Sequence, residues 1–104
     1  MVTDLENVEI QFPQGYDERL EFETPSKGYL RDVVVRLPDG SEYRLFFIDP
    51  TRLQQDLEAD VESGRSYYAE PGMVLLPQVT TEAIRQAVRD LWRDGFFKSQ
   101  KPLA

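Results

Sequence analysis

Two residue types are missing altogether: the 104-residue chain contains neither cysteine nor histidine. Without cysteine there is no disulfide framework, no thiol nucleophile and no thiolate metal site. Without histidine the Ser-His-Asp and Cys-His arrangements fall away, as do zinc sites of the usual kind. The one side chain that titrates near neutrality without help is also lost. No apolar run reaches the roughly 18–20 residues a membrane-spanning helix needs. Residues 1–6 are acidic and carry no basic stretch followed by an apolar one, so no signal peptide is expected there. The six glycines stand apart at 15, 28, 40, 64, 72 and 95, so no phosphate-cradling loop exists. Stretches of the G-x-S-x-G, H-E-x-x-H or RNP kind are absent too. No cofactor, no metal and no enzymatic activity are expected, and a cytoplasmic location is.

What is present is ordinary for a globular domain: 40% hydrophobic and 30% charged residues. The length fits a single domain, expected over 1–97 with a frayed tail at 98–104. Net charge is −7 and unevenly spread. Residues 1–64 hold 15 acids against 6 bases, a net of −9, whereas 65–104 hold 4 against 6, a net of +2. Such a balance argues against nucleic acid and anionic membranes as partners.

Periodicity predicts the elements. Val8, Glu9, Ile10, Gln11 and Phe12 alternate apolar and polar, as a half-buried strand does. Leu20, Glu21, Phe22, Glu23 and Thr24 alternate likewise and predict a second strand pairing with the first. Residues 29–37 and 42–48 are rich in β-branched and aromatic side chains. Pro38, Asp39, Gly40 and Ser41 between them supply a turn, so a long β-hairpin is expected. Val33, Val35 and Leu37 share one face; Tyr43, Leu45 and Phe47 share another on the return strand. Asp49 and Pro50 fit an N-cap and first helical position, and Gly64 a stop. The helix between them carries the narrow stripe Pro50, Leu53, Leu57 and Val61. Ser66, Tyr67, Tyr68 and Ala69 read as a strand. Pro71 and Gly72 read as the centre of a type II turn, and Met73 to Leu76 as a buried strand. Thr80 caps a last helix with a wide apolar face, Ala83, Ile84, Ala87, Val88, Leu91 and Trp92, stopped at Gly95. The expected fold is α+β: a mostly antiparallel sheet of five to six strands with two helices on it, a two-layer sandwich.

Few clusters carry chemistry. Asp56, Glu58, Asp60 and Glu62 resemble a calcium loop in spacing. Yet Val61 stands where that loop needs glycine and Tyr67 where it needs a bidentate Glu. A solvated helix face is the expectation. Glu21 and Glu23, with Glu9 nearby if the strands pair, form a candidate acidic docking face. Arg85, Arg89 and Arg93 form a stripe at i, i+4, i+8, each with Glu82, Gln86 or Asp90 three residues earlier. Intrahelical pairing and partner binding both fit that pattern. Phe97 is a candidate sticky edge beside Phe96. Glu21, Glu23, Arg85, Arg89, Arg93 and Phe97 are therefore the candidate partner-binding residues. The expected function is a non-enzymatic protein-interaction module, as an inhibitor, immunity-type protein or regulatory subunit would be. A self-associating structural domain, forming a homodimer, and a carboxylate-based enzyme are the alternatives.

Overall fold

A computed structural model describes residues 8–103. The expectation about residues 1–6, and that for Ala104, fall outside them. The class is α+β, with three helices and a four-stranded mixed sheet whose strands lie side by side in chain order. The strands are β1 (Glu9–Gln11), β2 (Tyr29–Arg36), β3 (Glu42–Ile48) and β4 (Met73–Leu75). The helices are α1 (Glu18–Lys27), α2 (Pro50–Glu62) and α3 (Thr81–Arg93), followed by a 3₁₀ turn at Phe96–Ser99.

The hairpin forms as expected: β2 and β3 run antiparallel with Val33 opposite Leu45 and Val35 opposite Tyr43. Its turn is held by the Asp39 carboxylate, which accepts from the Ser41 hydroxyl at 2.6 Å and the Ser41 N–H at 2.9 Å. Those bonds keep Asp39 below the usual carboxylate range. One extra residue interrupts β2 between Leu30 and Val33, where Asp32 takes φ 61°. This bulge leaves Leu30 opposite Phe47 and Val33 opposite Leu45, so both stay on the core side.

The first strand pair is a correction. Residues 20–24 do not form a strand; they lie inside α1. The Asp17 carboxylate accepts from Leu20 N–H at 3.0 Å, Glu18 and Glu21 occupy the positive first turn, and Gly28 ends the helix in the left-handed region. Five alternating residues are too few to separate the two periods. Glu, Arg and Leu are strong helix formers, and the cap decides. Strand β1 pairs instead with β2, Ile10 opposite Val35.

The second strand count is also lower. Residues 66–69 have no strand, because β4 already occupies the outer side of β3 opposite Phe46, Phe47 and Ile48. Strand β4 runs parallel to β3, with α2 making the crossover between them, as parallel neighbours require. The sheet is thus four-stranded and mixed, and α1 is a third helix.

The core lies between one sheet face and α3. Val33, Val35, Leu45 and Phe47 meet Ile84, Val88 and Val79, all buried. Thr80 caps α3 by accepting from Ala83 N–H at 3.0 Å. On the opposite sheet face Phe46 and Ile48 are buried as well. On that side Arg31 lies over the Phe46 ring, 4.2 Å from its centroid, and Arg52 at the start of α2 lies 4.5 Å from the Tyr29 ring centroid. No described helix is long and apolar enough to cross a membrane.

Candidate interaction surfaces

The acidic face does not assemble as the sequence reading expected. Glu21 and Glu23 are on α1, whereas Glu9 is on β1, 3.6 Å from Arg36 of β2. Glu23 is flanked along the helix by Arg19 at 3.4 Å and Lys27 at 4.0 Å, which offset its charge. Between the two glutamates Phe22 stands 85% exposed.

The arginine stripe on α3 is present, with mixed partners. Arg93 pairs with Asp90, which also accepts from the Gln86 amide at 3.1 Å. Arg85 lies over the Phe12 ring, 5.2 Å from its centroid. Arg89 is exposed and has no ion-pair partner among the described residues. Phe97 is no protruding edge: it is only 2% exposed, packed against Tyr43 at 4.9 Å and Phe96 at 5.3 Å between ring centroids. The 3₁₀ turn after Gly95 rotates Phe97 inward and leaves Phe96 half-buried. Helical stop signals alone do not reveal that rotation.

A further uncovered surface is on α2. The Asp49 carboxylate caps it by accepting from Arg52 N–H at 2.8 Å, and Pro50 starts it, as the sequence predicts. The C-terminal part of its apolar stripe, however, is open, while Leu53 is half-buried. Leu57 is 39% and Val61 54% exposed, and no residue of the helix is buried. Asp56 is tied to Arg52 at 3.1 Å and Asp60 lies 3.9 Å from Arg65. Glu58 and Glu62, both exposed, have no cationic partner among the described residues. The result is an apolar stripe flanked by free carboxylates. The stripe was legible in the sequence; its exposure was not.

The 65–72 loop is tied to β2 by a brace that leaves no mark in the local sequence pattern. Both terminal nitrogens of Arg31 donate to Glu70, at 2.5 and 2.6 Å. The guanidinium rests on the Phe46 ring, 4.2 Å from its centroid. The Tyr68 hydroxyl donates to the same carboxylate at 2.8 Å. The Arg31 hydrogen bonds hold the Glu70 carboxyl below its ordinary range. Burial first, then the bond to Glu70, push the Tyr68 hydroxyl up to about 12.

Two open cavities flank the 100–103 segment. One of about 430 Å³ is lined by Arg31, Arg44, Glu70, Gly72 and Lys101 among others. The other, of about 730 Å³, is lined by Leu37, Tyr43, Trp92, Phe97 and Pro102, with Arg93 and Lys98. It brings together Arg93 and Phe97 of the sequence-derived set. Among the described residues no group of three or more acidic side chains converges as a metal-ligand set. Comparison with protein-family models, curated proteins and solved structures returned no match.

Proposed function

We propose that this chain is a non-enzymatic protein-interaction module, an inhibitor, immunity-type protein or regulatory subunit, that takes its partner on the outer face of α2. One observation carries the reading: a well-capped helix leaves Leu57 and Val61 in solvent beside the unpaired Glu58 and Glu62. A helix with such a stripe ordinarily buries it, and an uncovered one fits a partner. The flanking carboxylates select a basic amphipathic surface, and the net charge of −7 steers it in. A cytoplasmic setting fits a chain without cysteine.

The test is affinity capture at low salt from native lysate, with the wild-type chain and a Leu57→Asp/Val61→Asp variant as parallel baits. A stoichiometric basic partner should be retained by the first and lost by the second. No such partner on the wild-type bait, or equal retention by both, counts against the proposal.

Self-association is the second reading. The acidic α2 and the Arg89-bearing face of α3 are of opposite sign, so copies could meet head to tail. Sedimentation showing a monomer at high concentration and low salt would remove it. A carboxylate-based enzyme has least support. Such chemistry wants a carboxyl raised toward neutrality, whereas Glu70, at a cavity wall, is lowered by Arg31.

A further inference from the structure

The outer edge of β3 is covered in two unequal ways. Strand β4 pairs only with its second half, Phe46 to Ile48. Gly72 C=O accepts from Phe46 N–H at 3.0 Å, and Ile48 C=O accepts from Leu76 N–H at 2.8 Å. At the other end Glu42 C=O accepts from Leu103 N–H at 2.7 Å. Backbone groups of alternate residues point to one side of a strand, so those of Arg44 face the same edge, between the two covers. The Arg44 carbonyl is capped by close approach of Gly72, where an added Cβ would lie 2.4 Å from the oxygen. Its N–H has no backbone acceptor on that side among the described residues. The cavity of about 430 Å³ opens there.

The segment now lying beside this edge is a poor strand. Leu103 N–H faces β3, so the nitrogen of Pro102 faces away from it and offers no N–H to any further strand. Lys101 lines the cavity together with two further cations, Arg31 and Arg44. Glu70 engages Arg31 closely, but Asp32 reaches Arg44 only at 3.8 Å, with both side chains largely in water. Proline and lysine are what natural sheets place along an edge to blunt it. Residues 100–103 thus cover the edge without extending the sheet. Tyr43 and Gln100 line both cavities, so apolar side chains of a strand seated here would find Trp92, Leu37 and Phe97 on the adjoining wall.

We infer that the outer edge of β3 around Arg44 is a strand-docking site, and that its occupant is an extended partner segment carrying an acidic residue for Arg44 beside an apolar one. Residues 100–103 hold the place until that segment displaces them. This surface is separate from α2 and does not depend on the reading given above. Main-chain bonds to Arg44 and Glu42 supply affinity, and the two cavities supply side-chain selectivity.

The probe is a blocked synthetic peptide with the sequence of residues 99–103 carrying Lys101→Glu and Pro102→Val, compared with the unaltered peptide. Each is titrated into the full chain while backbone amides are followed by NMR. The altered peptide should bind about threefold tighter, the worth of one cross-strand charge pair opposite Arg44. Its shifts should centre on Glu42, Arg44 and Leu103. Arg44→Glu should reverse the preference, and Leu57→Asp/Val61→Asp should leave it intact. Placing Lys101→Glu and Pro102→Val in the chain itself should slow exchange of the Arg44 amide and weaken binding of the free peptide. Equal affinities, no binding by either peptide, shifts centred on α2, or an unchanged Arg44 exchange rate would each overturn the inference.

Discussion

Arg31 and Glu70, 39 positions apart, are joined by two parallel hydrogen bonds of 2.5 and 2.6 Å, with the guanidinium lying on Phe46. This pair fixes the 65–72 loop over the second sheet face. Bidentate geometry makes it stronger than a simple surface ion pair, while its partial exposure limits its worth. Glu70→Gln should lower stability by about 1 kcal/mol, read as a shift in the urea midpoint at unchanged slope. A loss near zero would mean that the loop is held by other contacts.

The same cluster sets a pH dependence on both limbs. Glu70 is lowered in the folded state, chiefly by the Arg31 hydrogen bonds. Its contribution is complete above the unfolded value, about 4.3 for a glutamate, and fades as pH falls through the lower folded value. Tyr68 is raised to about 12, by burial first. Its contribution is complete below its ordinary value of 10.0 and is lost as pH climbs toward about 12. Tyrosinate absorbance should show one late-ionising tyrosine that Tyr68→Phe removes. The same variant should flatten the alkaline limb of the stability curve.

Burial separates two groups of apolar residues that the sequence presents alike. Phe47 is fully buried, so Phe47→Ala should cost roughly 3–5 kcal/mol and threaten folding of so small a domain. Leu57→Ala and Val61→Ala should each change stability by less than about 0.5 kcal/mol, as surface substitutions do. Thermal melts of the three variants check this. A large loss at Leu57 would mean that the outer face of α2 is packed after all.

Gly72 sits at φ 69°, pressed against the Arg44 carbonyl. Alanine there incurs about 1–2 kcal/mol for the left-handed backbone, before any clash is counted. The contact with backbone adds to that, since a carbonyl cannot swing aside as a flexible side chain can. Gly72→Ala should therefore loosen the β3–β4 pairing and speed amide exchange at Phe46 and Leu76. Gly40→Ala, at φ 89° with open space around it, is the control that bears the conformational cost alone.

Legibility in the sequence followed the range of the interactions. The hairpin and α3 were readable because each carries its own signals: the turn around Asp39 and Gly40, the Thr80 cap, the wide apolar face ending at Trp92. The N-cap at Asp49 was readable for the same reason. Helix α1 is hidden in the sequence because Leu20 to Thr24 alternate as a strand does, and the Asp17 cap that decides for helix lies outside those five residues. Strand β4 was placed, yet its parallel direction was not, since direction depends on the α2 crossover rather than on Met73 to Leu75 themselves. Of the six site candidates, Glu21, Arg85, Arg89 and Arg93 are exposed and Glu23 is half-buried. Phe97 turned inward with the 3₁₀ turn, and the acidic trio was divided between β1 and α1. The Arg31–Glu70 brace, the open stripe on α2 and the bare Arg44 amide arise from tertiary placement, which no local pattern encodes.

The parallel crossover also orders assembly in time. Strands β2 and β3 meet through a five-residue connection, whereas Phe46 and Met73 are brought together only after a far longer stretch, α2 included, has closed. Loop closure of that length is slow beside hairpin formation. The hairpin should be in place first, with the fourth strand arriving last. Until then the newly synthesised chain shows its neighbours the whole outer flank of β3, hydrophobic Phe46 and Ile48 included, and crowding or slow release at that moment is when this protein is most prone to stick to itself.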